Sequence, residues 1–173
     1  MEISATIVLV MFVMYYVNQF MGGRLNLLGV LPRTLWGLLG ILFSPLLHYN
    51  QAHLTTNGIS LFILLVILFS HREYRPEPAF ITIWLGSGLG TWLLGRPNSV
   101  HIGASGLIYG IVTYLIASAW WLKSWRSAAL ASLILFLYGG IFYGMLPQPG
   151  IISWEAHLSG AFAGILVAQS QHK

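Results

Sequence analysis

The sequence predicts an all-α integral membrane protein, a single domain over residues 1–173 built as a six-transmembrane-helix bundle. Composition is the first observation: 57% of the 173 residues are hydrophobic and only 7% are charged. An average soluble domain has about 25% charged residues, so a water-facing surface is excluded, and so is disorder, which goes with few apolar residues. Mean hydropathy, at +0.76, is the second. The third is spacing: the apolar residues fall into six long runs near the length of a membrane span, about 20 residues.

The first run covers residues 3–21 and ends at Gly22-Gly23. It is too long for a signal-peptide core, lacks a basic leading segment and has no small-x-small cleavage site, so it is expected to be a retained helix. Residues 24–49 are less uniform, with Pro32 and Pro45 around an apolar stretch at 35–43. Proline removes a helical backbone bond, which predicts a structured loop lying in the interface or dipping into the bilayer. The second run, 53–70, stops at the polar His71-Arg72-Glu73-Tyr74-Arg75-Pro76. The third, 79–94, is closed by Gly95-Arg96-Pro97-Asn98, and the fourth, 105–122, by Lys123-Ser124-Trp125-Arg126. The fifth spans 127–145, with Pro147 and Pro149 after it, and the sixth 156–169.

Basic residues set the expected orientation. With the N-terminus inside, the inner loops and tail hold Arg72, Arg75, Lys123, Arg126 and Lys173, and the outer loops hold Arg24, Arg33 and Arg96. Both termini are therefore expected inside. Trp36, Trp92, Trp125 and Trp154 lie near span ends, where aromatic belts sit. Glycines recur four apart at Gly86/Gly90, Gly106/Gly110, Gly140/Gly144 and Gly160/Gly164. Helices in lipid associate by close backbone approach through such small residues, so the fourth and sixth spans are expected to pack closely.

Missing residue types narrow the chemistry. The chain has no cysteine and no aspartate, and its glutamates are Glu2, Glu73, Glu77 and Glu155. Thiol nucleophiles, disulfides, iron–sulfur clusters and thiolate zinc sites are excluded. So are a two-aspartate protease and a full Ser-His-Asp triad. The formal charge of +4 is spread singly or in pairs, with no basic run interleaved with aromatics, so no nucleic-acid partner is expected.

Polar residues inside apolar runs are expensive in lipid and mark function. Three spans enter from the same expected side carrying them: His48, His53 and Asn57 at the second, Gly103-Ala104-Ser105-Gly106 at the fourth, and Ala156-His157-Leu158-Ser159-Gly160 at the sixth. His53 and Asn57, four apart, share a face. A serine hydroxyl needs a base to become a nucleophile, and neutral imidazole is the usual one. Ser105 is the candidate nucleophile and His157 the candidate base. The Ser105 N–H, the His53 ring and the Asn57 amide are candidate oxyanion donors. With no aspartate to orient the base, Tyr109, one turn beyond Ser105 on the same face, is expected to stack on it. The expected unit is a dyad.

These residues resemble the rhomboid family of intramembrane serine proteases. The match comprises His48-x4-His53-x3-Asn57, Gly103-Ala104-Ser105-Gly106, and Ala156-His157-x2-Gly160-x3-Gly164, with Tyr109 at the position of the tyrosine that packs on the family's histidine. The flanking segments His101-Ile102 and Ser153-Trp154-Glu155 are similar to small bacterial members. The resemblance implies a minimal six-helix core in a bacterial inner membrane. It also implies a site opening to the outer face, no metal or cofactor, and single-span membrane proteins as substrates, cleaved in their transmembrane segments. In that frame Gly103, Gly106, His48 and Gly160 support the site, and the segment from Pro147 to Trp154 with the fifth span forms the substrate gate. One departure stands out: the Trp-Arg pair many members carry in the first loop is replaced by Leu39-Gly40.

Three other readings fit parts of the pattern. A catalytically inactive relative that binds membrane clients normally lacks Ser or His, and here both are present. A sortase-like rhomboid clipping C-terminal anchors differs only in substrate. A transporter using His48, His53 and His157 as a proton relay requires polar residues through the inner half of the bundle, where the chain has almost none.

Overall fold

The computed structural model describes every residue except 1, 149 and 151, so Pro149 lies outside the described residues. Among the described residues there are seven α-helices: α1 (Glu2–Phe20), α2 (Gly40–Phe43), α3 (Gln51–Ser70), α4 (Pro76–Leu94), α5 (Ser105–Leu122), α6 (Trp125–Tyr138) and α7 (Trp154–His172). No strand occurs among the described residues, only an isolated antiparallel bridge between Val30 and His101. The all-helical architecture agrees with the sequence expectation.

The helix ends follow local chemistry. Asn50 caps α3 by accepting the His53 N–H at 2.8 Å, which starts the helix two residues before the expected 53. Pro76 opens α4 three residues early, because proline tolerates a first helical turn where its missing N–H has no intrahelical partner. Ser124 caps α6 by accepting the Ser127 N–H at 3.0 Å. The expected 127–145 span is not one α-helix: after Tyr138 the chain tightens into a 3-10 segment, Gly139–Met145.

Among the described residues, four helical stretches are long and apolar enough to cross a membrane: Glu2–Phe20, Gln51–Ser70, Ser105–Leu122 and Trp125–Met145. The helices α4 and α7 have the length, 19 residues each, but not the apolar content. They hold Gly86, Ser87, Gly88, Gly90 and Thr91, and Glu155, His157, Ser159, Gly160 and Gly164, because these helices face other helices closely.

The centre of the bundle is α5, whose Leu107, Ile111, Val112, Tyr114 and Leu115 are all but fully buried. On one side it meets α7 at backbone distance. A Cβ on Gly160 would overlap the Gly106 carbonyl oxygen, and one on Gly164 the Gly110 carbonyl oxygen. The expected approach of the fourth and sixth spans is thus realised at glycine notches. The pair Gly140/Gly144 departs from that pattern: around Gly140 a Cβ would meet nothing within 4 Å, whereas Gly144 lies against Tyr109 and His157. Helix α6 is peripheral, with Leu133, Leu135, Phe136 and Leu137 exposed as a lipid-facing surface requires.

Residues 24–49 fold as short 3-10 turns around α2, consistent with the broken helical pattern. Trp92 Nε1 donates to the Thr34 carbonyl at 2.8 Å and Trp84 Nε1 to the Ile41 carbonyl at 3.0 Å. These two indoles fasten the loop to α4. At the end of the bundle away from the N-termini of α5 and α7, the Tyr114 hydroxyl donates to the Tyr74 carbonyl, and Arg75 Nη1 donates to the Gln171 carbonyl at 3.1 Å.

Candidate active site

Ser105 is the first residue of α5, so its backbone N–H has no partner within the helix. The chain reaches it through Gly103, whose φ of +114° is a conformation that side chains strongly disfavour. There is no room for a side chain either: a Cβ would sit 2.8 Å from His53 Nε2 and 3.4 Å from Asn57 Nδ2. The Gly103 N–H is held by the Ser44 carbonyl at 2.8 Å. The strained turn therefore brings Ser105 beside the α3 residues His53 and Asn57.

His157 lies in the first turn of α7. Its Nε2 is 2.8 Å from Ser105 Oγ, and its Nδ1 is 2.8 Å from the Gly144 carbonyl oxygen. A carbonyl only accepts, so Nδ1 carries the proton and, in the neutral ring, Nε2 is the acceptor facing the serine hydroxyl. The Tyr109 ring stacks on the imidazole with centroids 4.2 Å apart and planes 10° apart. Two contacts thus fix the ring where an aspartate is absent. Sequence reasoning anticipated the tyrosine and missed the Gly144 carbonyl, since a backbone acceptor leaves no mark beyond the glycine that permits its approach.

Asn57 Nδ2 donates to His48 Nε2 at 3.1 Å, which orients the amide and leaves its second N–H free. His48 is fully buried, and its ring lies edge-on to His53 with centroids 5.0 Å apart. His48 lies in the loop before α3, where burial, with a smaller push from His53, lowers its pKa to about 3. It is neutral and serves as an acceptor. Gly106 and Gly160 lie below this level, where they let α5 and α7 touch.

Ser105, His157, His53 and Asn57 all line one cavity of about 390 Å³. Tyr49, Asn50, Ser99, Val100, Ile102, Ile152 and Ser153 complete its wall. Of the site residues singled out from the sequence, four line the cavity, Tyr109, His48 and Gly103 lie against them, and Gly106 and Gly160 lie below, at the α5–α7 contact. Such a constellation sets a hydroxyl against an oriented imidazole beside an amide and a second ring, groups of the kinds that acyl transfer uses. Among the described residues no group of His, Cys, Asp or Glu could hold a metal ion.

Comparison with known proteins agrees with this architecture. The rhomboid domain family model matches residues 32–172. An uncharacterized protein of Mycobacterium tuberculosis is 38% identical over 171 residues, 94% of this chain and 71% of the relative. One of Mycobacterium leprae is 34% identical over 144 residues, 78% of this chain and 55% of the relative. Rhomboid-like protein 11, chloroplastic, of Arabidopsis thaliana is 27% identical over 141 residues, 69% of this chain and 48% of that protein. Helices and match together define an integral, multi-pass membrane protein. The chain belongs to the rhomboid family.

Proposed function

We propose that the protein is an intramembrane serine endopeptidase that cleaves transmembrane segments of other, single-span membrane proteins with a Ser105–His157 dyad and no cofactor. The 2.8 Å contact between Ser105 Oγ and His157 Nε2, at the wall of the cavity that His53 and Asn57 also line, is the observation that carries this reading.

In the mechanism, His157 Nε2 takes the Ser105 proton as Oγ attacks the scissile carbonyl carbon. The imidazolium that forms keeps its Nδ1–H on the Gly144 carbonyl and its face on Tyr109. The developing oxyanion is met by the Ser105 N–H, the Asn57 amide and the His53 ring. His157 then gives its proton to the departing amine, which releases one product and leaves an ester on Ser105. Water enters the cavity, gives a proton to His157 and attacks the ester; His157 Nε2 then returns that proton to Ser105 Oγ as the acyl C–O bond breaks, and the second product leaves as a carboxylic acid. A neutral carbonyl stabilises the imidazolium less than a carboxylate does, so stacking and a fixed tautomer carry more of the orienting task.

For topology, α1, α3, α4, α5, α6 with its 3-10 extension, and α7 all cross the bilayer. Support for counting α4 and α7 is their 19-residue length and their seat against α5. Both termini lie inside a bacterial cytoplasmic membrane and the cavity opens outward, which puts the five basic residues of loops and tail inside. The test is cleavage of a panel of single-span substrates in proteoliposomes. Wild type is expected to cut at least one of them near its outer end. Ser105→Ala and His157→Ala, both folded, are expected to cut none, and equal cleavage by wild type and Ser105→Ala would refute the proposal.

A further inference from the structure

Polar groups that this mechanism leaves unused lie just upstream of the dyad, His101 and Glu155 buried and Ser153 half-buried. His101 comes four residues before Ser105, and Ser153 four before His157. His101 Nδ1 and Ser153 Oγ are hydrogen-bonded at 2.9 Å. The segment entering α5 and the segment entering α7 are thus joined by two histidine–serine hydrogen bonds, with the residue types exchanged between the two sides. One is the dyad; the other lies just upstream.

Both ends of the upstream bond are anchored. His101 is 2% exposed, and its backbone exchanges two hydrogen bonds with Val30, each 2.9 Å. The Ser153 carbonyl accepts the Ala156 N–H at 3.0 Å and the His157 N–H at 3.2 Å, so the placement of Ser153 sets the first turn of α7. Arg96 reinforces the joint from the α4–α5 loop. Its Nε lies 2.7 Å from Glu155 Oε1, its Nη1 donates to the Gly150 carbonyl at 3.1 Å, and its Nη2 donates to the Ile152 carbonyl at 2.7 Å. Glu155 is 2% exposed. A carboxylate buried that deeply is costly unless paired, which ties α7 to Arg96.

We propose that His101 and Ser153, backed by the Arg96–Glu155 ion pair, are positioning residues that set the distance between Ser105 Oγ and His157 Nε2. The proposal rests on the protease reading. His101 does not line the cavity, so it acts through Ser153 and not on substrate. A displacement of about 1 Å in a reacting pair costs on the order of 10²-fold in rate, and the His101–Ser153 bond joins the two segments immediately upstream of the dyad.

The test uses the full chain with His101→Leu, His101→Asn, Ser153→Ala and the double variant His101→Leu/Ser153→Ala. Asparagine places a polar atom near the Nδ1 position; leucine keeps bulk and loses the bond. Readouts are the acylation rate with a small fluorophosphonate, kcat and KM on a single-span substrate, and thermal unfolding. His101→Leu and Ser153→Ala are expected to slow acylation and kcat by roughly 10- to 100-fold with KM unchanged. His101→Asn is expected to recover most of the loss, and the double variant to fall no further than the worse single one. Wild-type rates in a folded Ser153→Ala, equal losses for His101→Asn and His101→Leu, or an effect on KM alone would overturn the brace. The chain has no cysteine, so a spin label at Ile152→Cys gives an activity-independent readout, expected to be immobile with His101 and mobile with His101→Leu. If wild type neither reacts with the probe nor cuts substrate, the protease reading falls and the label alone judges the brace; an unchanged spectrum then overturns it.

Discussion

Replacing Asn57 by alanine separates the observed bond to His48 from the proposed oxyanion role of the same side chain. The amide donates one N–H to His48 and turns the other toward the cavity beside Gly103. Losing a single oxyanion donor typically costs about 10²–10³ in kcat, or about 2.7–4 kcal/mol of transition-state stabilisation. Losing the bond to the fully buried His48 leaves a ring nitrogen unpaired, which costs about 1–3 kcal/mol of stability. For a chain of this size each kcal/mol shifts Tm by about 2–4 °C. Asn57→Ala is therefore expected to lower kcat by two to three orders of magnitude at nearly constant KM, and separately to lower Tm by a few degrees. Initial rates on a cleavable single-span substrate in detergent, alongside thermal unfolding in the same detergent, read both. A Tm loss with kcat unchanged would refute the oxyanion role and leave Asn57 as a bridge between α3 and the preceding loop.

Three further outcomes follow from particular contacts. Tyr109→Phe keeps the stack on His157 and should hold kcat within a few-fold, whereas Tyr109→Ala removes it and should cost at least tenfold; equal losses in a kinetic comparison would mean that the hydroxyl matters and the stack does not. Gly160→Ala drives a Cβ into the Gly106 backbone, overpacking that costs about 1–3 kcal/mol or more, while Gly140→Ala meets open space. Thermal unfolding should therefore fall by several degrees in the first and stay within about a degree in the second. His48 has a pKa near 3 in the fold against about 6.5 in an unfolded chain, so the folded state refuses a proton that the unfolded state accepts. Its contribution is fully present above pH 6.5 and is lost as pH falls below it, by roughly 2 kcal/mol at pH 5. Tm should drop between pH 7.5 and 5, and a constant value would contradict a neutral, buried His48.

The contact between Ser105 and His157 was legible because its parts sit on regular elements: α5 covers the expected 105–122, and the 3.6-residue period places His53 with Asn57 and Ser105 with Tyr109. What escaped has no periodic signature. The Gly144 carbonyl that holds His157 is backbone, and the path of residues 24–49 is fixed by the Trp84 and Trp92 indoles reaching carbonyls 43 and 58 residues away. The Asn57–His48 bond crosses the bend between a loop and a helix, which spacing alone does not register. Gly140 breaks the pattern because a glycine pair signals packing only where both residues face a neighbour, and the 3-10 winding after Tyr138 turns Gly140 outward. Hydropathy likewise could not separate α4 and α7 from buried helices, since their glycines and serines serve contact with other helices.

The most direct measurement is the intact mass of the purified protein after incubation with a fluorophosphonate. A working pair of Ser105 and His157 yields one covalent adduct, mapped to Ser105, that disappears in Ser105→Ala and falls sharply in His157→Ala. An unmodified wild type, or an adduct that persists when Ser105 is alanine, would contradict the assignment of nucleophile and base.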